Sequence, residues 1–412
     1  MPIKSPFFPR TFELCTSLKW KEWAGYYAVR SYDTLHEPEY FAIRHAAGLL
    51  DITPLFKYKV EGKDAAVFLA RVMVKNINKQ KVGRVAYLCW CNDHGKVVDD
   101  GTVMHLAQDD FFVTSADPCY LWLSRFTRGY DVKIEDVTEK VAALALQGPT
   151  SREILKQCTD ANMDALKFFG VTKAKIDGFD VNISRTGYTG DLGYEIWTKN
   201  ENAVKLWDTL MAAGKDYDIL PAGLDALDMT RIEAGLILKG VDYYNSLHAL
   251  IENRITSPYE LGLGWTVNLD REPFNGQVAL KAEKKHGSRW ATVGLDISWT
   301  ELEAVYAKYG LPPEVPNAAW RMSIPVYGNN KIMPRSGHSS RKLADKQVGY
   351  ATSGTWSPTL KKNIAIATID KRYDKPGTKV QFEIIVEHTR HTVSAIVNKP
   401  QFFNPDRKRE II

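Results

Sequence analysis

The sequence predicts an α+β protein of more than one domain. Three observations carry this: helical and strand-like periodicities alternate through Leu236, a largely β segment then runs to about Pro400, and 412 residues exceed what one hydrophobic core sustains. The first helix is expected over Glu39 to Leu50, with Phe41, Ile43, Ala46, Ala47 and Leu50 as its apolar positions and Gly48 near its end. Arg84 to Trp90 and Lys96 to Leu106 read as the strands of a hairpin whose turn, Asn92-Asp93-His94-Gly95, suits positive φ. The strand Val141 to Leu146 leads through Gln147-Gly148-Pro149 into a helix that starts near Thr150. Pro221 to Gly235 is a further helix closed by glycine, and between Trp265 and Lys281 the chain completes a unit. The lysine-rich Lys281 to Gly287 marks the boundary, giving regions 1–285 and 286–412.

Charge and cysteine usage narrow the function classes. The 54 Lys and Arg outnumber the 49 Asp and Glu by five and are spread along the chain, which fits a small anionic ligand and gives no sign of nucleic acid. Five cysteines with no C-x-x-C spacing suggest neither a disulfide framework nor a zinc ribbon, so a reducing compartment is expected. The proline-rich start lacks a secretory apolar core and no apolar run approaches the ~20 residues of a membrane span, so a cytoplasmic protein is expected. The fingerprints of dinucleotide and nucleoside-triphosphate sites are absent. His388 and His391 have no third ligand nearby and read as a surface strand, so no metal is expected.

Three stretches carry candidate chemistry. In Lys96 to Leu106, period-2 alternation puts Asp100 on one face with Val98, Thr102, Met104 and Leu106, and Asp99 on the other with Val97, Gly101 and Val103. A carboxylate among apolar groups has a raised pKa unless paired, and such groups gather at functional sites; a capping aspartate beside a solvated one is the equal alternative. In Arg185 to Trp197, three glycines within seven residues form a tight loop that presents Tyr188 and then Glu195. A fixed carboxylate there suits two parallel N–H donors of a flat ring, whereas a plain hairpin with Glu195 paired to a lysine explains the same pattern. In the helix Pro221 to Gly235, Leu224, Leu227 and Arg231 share a face, so Arg231 points inward, paired to Asp228 three residues back or, secondarily, meeting a ligand carboxylate.

Taken together these stretches resemble one family, the tetrahydrofolate-dependent T-protein of the glycine cleavage system and its relatives. Ala47-Gly-Leu-Leu-Asp-Ile52, Gly95-Lys-Val-Val-Asp-Asp100, Leu146-Gln-Gly-Pro149, Arg185-Thr-Gly-Tyr-Thr-Gly190, Arg231-Ile-Glu-Ala-Gly235, Pro258 to Trp265 and Thr352 to Pro358 occur in the family's order. The resemblance implies three domains arranged like a clover around a central folate channel, the first region made of two interleaved subdomains and the last domain a β-barrel. It implies tetrahydrofolate as cofactor, with the pterin held at Glu195 and Asp100 beside the folate nitrogen that receives the carbon. Asp100 is preferred to Asp99 because relatives with oxidase domains keep only the second aspartate and because its strand face is the more apolar. Tyr87 falls where the family often has a folate-contacting tyrosine, and Tyr188, Asp99, Arg231, Thr114 and Trp356 complete the expected cofactor site. Transfer in this family needs no metal and depends on bringing the pterin N5 in line with the donor carbon.

Three positions depart from the T-protein pattern. Ala226-Leu227-Asp228 stands for A-R-D, Asp99-Asp100-Gly101 for D-D-L, and Thr114 for an asparagine. Loss of the arginine removes a charge able to meet an anionic group. Thr114 to Pro118 and the Asp-Gly pair look closer to the branch that demethylates methoxy-aromatic or sulfonium compounds. The expectation is therefore a methyl transfer from a small O-, S- or N-methyl donor to tetrahydrofolate. The alternatives are the glycine-cleavage aminomethyl transfer, with a lipoyl carrier protein as partner, and a non-catalytic folate-binding protein. The last lacks its branch's K-G-C-Y-x-G-Q-E string here. A homo-oligomer is compatible with the sequence. Trp299 to Gly310 reads as an added helix in the last domain, at the surface or shaping the donor pocket or an oligomer contact.

Overall fold

A computed structural model describes residues 1–328 and 346–410. Two large sheets and a barrel organise them, beside a two-stranded sheet of Lys19–Trp23 and Tyr26–Ser31. The first sheet has six strands in the order Val171–Ile176, Phe179–Ser184, Gly193–Lys199, Val141–Gln147, Ala47–Asp51, Ile219–Pro221. The second has five, in the order Arg84–Cys91, Val97–Ala107, Asp110–Ser115, Phe56–Glu61, Lys133–Asp136. Apolar residues from both fill the space between them: Leu50, Ala143, Ala145 and Trp197 from one, Val85, Met104 and Phe112 from the other, joined by Tyr40, Ile43 and Met229 of two helices. Among the described residues no helix is long and apolar enough to cross a membrane.

The first expected helix is shorter than its apolar pattern suggests. It spans Glu37–His45, and Ala47–Asp51 is instead a strand inside the six-stranded sheet. Ala47, Leu49 and Leu50 are all buried, so this central strand shows an apolar run in place of alternation. Gly48 serves the packing of the helix over its own strand: a Cβ there would lie 2.6 Å from Ile43 Cγ1. The hairpin forms as expected, with strands Arg84–Cys91 and Val97–Ala107. Asn92 Oδ1 accepts from the backbone N–H groups of His94 and Lys96, and Gly95 takes φ +69°.

The strand faces depart from strict alternation beside the acid pair. The pairing shifts register between Trp90 and Cys91, so Val97 packs with Cys89 and Cys91 while Val98 packs with Trp90. Val97, not Val98, thus belongs to the side on which Asp100 opposes Cys89.

The last domain is a closed barrel of Trp290–Ile297, Lys362–Asp370, Gln347–Ser357, Ile324–Gly328, Lys379–Val386 and Thr389–Asn398. The added helix, Trp299–Ala307, lies on it through Leu302 and Val305, and Ser298 caps it by accepting from the Glu301 N–H. Two buried acids fasten the barrel to the preceding part. Glu233 accepts from Arg44 Nε and Nη2 at 2.8 and 2.6 Å, and from the hydroxyls of Tyr40 and Ser357. Asp242 accepts from Arg231 Nη1 at 2.6 Å and from the hydroxyls of Thr352 and Ser353.

Lys57 is fully buried, its Nζ donating to the carbonyls of Thr53 and Thr138 at 2.6 and 3.1 Å. Burial pushes the ammonium down to about 8 from 10.5. Between those values the unfolded chain binds more protons than the folded one, so this group makes stability rise with pH through that window. Lys57→Met is expected to flatten the rise by up to ~3 kcal/mol, read as the difference between mutant and wild-type unfolding free energies at pH 7 and pH 10.

Candidate active site

The acid pair lies on the second strand of the hairpin, and its partners come from three other elements. Tyr87, on the neighbouring strand, donates its hydroxyl to Asp100 Oδ2 at 2.7 Å. Tyr243, in the loop after the helix Leu224–Glu233, donates to Asp100 Oδ1 and lies 3.3 Å from Asp99 Oδ1. Asp99 is 1% exposed and accepts the backbone N–H of Asp100 at 2.9 Å and that of Asp117 at 2.8 Å. Burial pushes both carboxyls upward, and the Lys239 ammonium opposes the rise in both. Burial and the Asp100 charge hold the Tyr87 and Tyr243 phenols well above 10, so both remain protonated donors. Asp100 and Tyr87 are only half-buried, and the exposed Trp265 ring lies 6.3 Å from that of Tyr87.

Lys239 Nζ is paired with Asp117 Oδ2, whose other neighbour is Asn245 Nδ2 at 3.5 Å. Lys239, Tyr243 and Asp117 are absent from the site read off the sequence. They sit in irregular segments where periodicity says nothing, and the available clue was a lysine and two adjacent tyrosines just beyond the glycine that ends a helix.

Glu195 stands on the central strand Gly193–Lys199, opposite Ser184 and Ala145 of its neighbours. Its Oε2 accepts from the Thr186 hydroxyl at 2.7 Å, which in turn meets Ser184 Oγ at 2.7 Å. Its Oε1 has no hydrogen-bond partner among the described residues, and no lysine pairs with it. Burial raises its pKa, while the Thr186 and Ser184 hydroxyls oppose the rise. The glycine-rich loop joins the two acidic centres: Thr186 holds Glu195, and Tyr188, half-buried, feels the Asp100 charge while donating to the Ile237 carbonyl. Its glycines are needed by the protein itself. A Cβ on Gly187 or Gly193 would lie 1.9 or 2.3 Å from the Gln147 amide, and one on Gly190 2.4 Å from Ala234 Cβ.

Three expected site residues are engaged elsewhere. Arg231 is fully buried and bound by Asp228 at 2.8 Å and Asp242 at 2.6 Å, the structural role that leads its reading; its Nη2 has no partner among the described residues. Thr114 is 4% exposed and its hydroxyl meets Thr102 Oγ1 at 2.7 Å. Trp356 packs against Trp299 of the added helix with ring centroids 4.9 Å apart, while its strand neighbour Ser357 points the other way to Glu233. The structure therefore brings Tyr87, Asp99, Asp100 and Tyr188 together, sets Glu195 at the far side of the loop, and leaves Trp356 out. The enclosed space of about 20 Å³ lined by Thr11, Tyr32, Asp51 and Leu227 holds no more than a water and shares no residue with this group.

The Gly101 departure has a steric account. Gly101 approaches the Thr114 carbonyl so closely that a Cβ would lie 1.9 Å from its oxygen, which excludes leucine there. Leu227 packs at the edge of the core between the sheets, and Asp228 receives a guanidinium from the barrel side, Arg321 Nε at 2.7 Å. Gly101→Ala is expected to cost roughly 2–3 kcal/mol in chemical denaturation by forcing two strands apart beside Asp100; an unchanged midpoint would refute the close approach.

A family model described as the GCVT N-terminal domain matches residues 14–271, and one described as the glycine cleavage T-protein C-terminal barrel domain matches residues 322–403. An aminomethyltransferase of Caldanaerobacter subterraneus subsp. tengcongensis is 35% identical over 377 residues, 90% of this chain and 88% of that one. One of Halothermothrix orenii is 32% identical over 403 residues, 96% of this chain and 99% of that one. The crystal structure of glycine cleavage system aminomethyltransferase T from Bartonella henselae superposes with a TM-score of 0.80 at 22% identity, covering 98% of this chain and 99% of that one.

Proposed function

The chain belongs to the glycine cleavage T-protein family of aminomethyltransferases, and from that premise we propose that it transfers an aminomethyl-level carbon to tetrahydrofolate. The observation that carries this reading is a pair of separated acids: Glu195 with one carboxylate oxygen held by Thr186 and the other open, and Asp100 gripped by two phenols. Bound tetrahydrofolate supplies a nucleophilic secondary amine, N5, on a ring whose edge presents parallel N–H donors. The Glu195 Oε1 fits such an edge, because a half-buried carboxylate oxygen with no hydrogen bond among the described residues gains from a charge-assisted contact. Tyr87 and Tyr243 fix the Asp100 carboxylate in one orientation, leaving its remaining lone pairs to take a proton released at N5. Tyr188, from the glycine-rich loop, lies near Asp100 and offers an aromatic flank.

The donor is proposed to be an aminomethyl group on a lipoyl carrier protein. Relatives that align over nearly their whole length bear the name aminomethyltransferase, and a methylated small-molecule donor has less support now that the close approach of Gly101 to its neighbouring strand accounts for the Asp-Gly departure. Incubation with tetrahydrofolate and either aminomethyl-lipoyl carrier or a panel of O-, S- and N-methyl donors decides the matter. 5,10-Methylene-tetrahydrofolate from the carrier alone supports the proposal; 5-methyl-tetrahydrofolate from a methylated donor overturns it.

Two variants probe the site. Glu195→Ala is expected to weaken tetrahydrofolate binding by roughly 2–3 kcal/mol in calorimetry, and unchanged affinity would reject it as the ring anchor. Asp100→Asn is expected to bind tetrahydrofolate as the parent does yet lose on the order of 10²-fold or more in turnover; full activity would move the proton-accepting role elsewhere.

A further inference from the structure

The segment that follows the last barrel strand turns back across the glycine-rich loop. Phe403 donates its backbone N–H to the Glu233 carbonyl at 2.7 Å, and its ring centroid lies 4.0 Å from the Arg44 guanidinium carbon. The chain then makes the helical turn Asp406–Lys408, in which Arg407 meets both ends of the loop Arg185–Asp191. Its side chain takes one end: Nε and Nη2 donate to the two Asp191 oxygens, each at 2.7 Å, in the paired geometry of strong charge-assisted bonds. The Asp191 carboxylate is fully buried, and Arg44, the other cation near it at 3.7 Å, is engaged by Glu233 at 2.6 Å. The backbone of the turn takes the other end: Arg185 Nη2 donates to the carbonyls of Arg407, Lys408 and Glu410 at 3.2, 2.9 and 2.7 Å. Arg185 is 1% exposed and pairs with no acid among the described residues, so these carbonyls, left without partners at the end of a helical turn, satisfy a charge that burial would otherwise penalise.

We propose that this segment clamps the loop so as to aim the tetrahydrofolate anchor, with Arg407 as a positioning residue. That role rests on the reading of Glu195 as the anchor. Between the clamped ends lies Thr186, whose hydroxyl holds Glu195 Oε2 at 2.7 Å. Gly187 and Gly190 give the stretch more conformational freedom than other residues would, so its shape has to be imposed by contacts. The Arg185 backbone is bonded to Phe169 and Gly170 as well, so the end at Asp191 depends most on Arg407. Gln147 spans the loop, accepting from the Thr189 hydroxyl at 2.9 Å and donating to the Thr186 carbonyl at 3.2 Å. Slack at Asp191 therefore reaches Thr186 through Thr189 and Gln147, and turns the hydroxyl that orients the carboxylate. A binding constellation held to within about 0.5 Å tolerates little of it.

The test needs no substrate in its first arm. Amide hydrogen exchange in the parent and in Arg407→Met compares the loop Arg185–Asp191 with the hairpin strand Val97–Ala107. The loop is expected to exchange about tenfold faster in the variant while the hairpin keeps its protection. Unchanged protection of the loop, or a loss shared with the hairpin, overturns the clamp. The second arm follows tetrahydrofolate by calorimetry and steady-state rates, where Arg407→Met is expected to raise Kd and KM about fivefold and to spare kcat. A fall in kcat at unchanged KM, or no change in either, overturns the proposal and leaves Arg407 a structural tie. Repeating the substitution in Glu195→Ala separates the two readings. A clamp that acts through Glu195 adds little to the loss already present there, and an equal further loss in both backgrounds overturns it. If Glu195→Ala alone leaves the affinity unchanged, the anchor reading itself fails, and the role of Arg407 in binding falls with it.

Discussion

The buried ion pair between Arg231 and Asp242 is the constraint on which the site depends. Arg231 leaves the helix Leu224–Glu233 fully inside the protein, where a lone guanidinium would be untenable, and Asp242 and Asp228 neutralise it. Because Asp242 lies eleven residues on, satisfying Arg231 folds the chain beyond Gly235 back on the helix end. Asp242 also accepts the Leu238 N–H and two barrel hydroxyls, so the loop has little freedom. Its immediate neighbour Tyr243 is thereby delivered to Asp100, and Lys239 to Asp117. One structural pair thus holds the helix, the barrel and the partners of the acid pair in one arrangement, the support that a precisely held site requires.

Much of the architecture was legible in the sequence. Periodicity located the hairpin and the glycine-ended helix, and the β segment that closes the barrel lies beyond the lysine-rich stretch, which forms the end of the helix Gln277–His286. What periodicity misassigned was a strand buried on both faces: Ala47–Asp51 carries an apolar run that reads equally as helix, and only its place between two other strands decides it. The acids Asp99, Asp100 and Glu195 were legible because a charge within a strand pattern is conspicuous. Their partners were not, because Tyr243, Lys239 and Asp117 act from irregular loops where no periodicity marks which side chain turns inward, and Tyr243 and Lys239 meet groups more than a hundred residues away in sequence.

Glycines and arginines illustrate why local chemistry is an ambiguous guide. A loop with three glycines invites the thought of a ligand laid against bare backbone, yet Gly187 and Gly193 close on the Gln147 side chain, whose amide in turn ties Thr186, Thr189 and Tyr194. The ligand-facing consequence is indirect: with Gln147 locked in, Thr186 is placed where it orients Glu195. Likewise the missing arginine at Leu227 does not leave Asp228 without a second cation, since Arg321 supplies one from the segment leading into the barrel. Asp228 draws this cation from another element, a pairing the sequence alone hides because the two residues lie far apart.

The register shift beside the acid pair resolves a geometric puzzle. Neighbouring residues of a regular strand point to opposite faces, so Asp99 and Asp100 should not reach the same group. Tyr243 nevertheless lies within hydrogen-bonding distance of Asp99 as well as bonding Asp100. A bulge adds local twist and re-aims side chains, and this one falls immediately before Asp99, where Val97 and Val98 share the space opposite Cys91. The twist brings Asp99 to the edge of its face, where it also gains the Asp117 N–H from the turn beyond the next strand. Gly101 on the other side of the pair permits the close approach to the Thr114 carbonyl that such a twisted strand demands. The acid pair is therefore framed by a bulge before it and a glycine after it, and the Asp-Asp-Gly sequence reflects backbone geometry as much as chemistry.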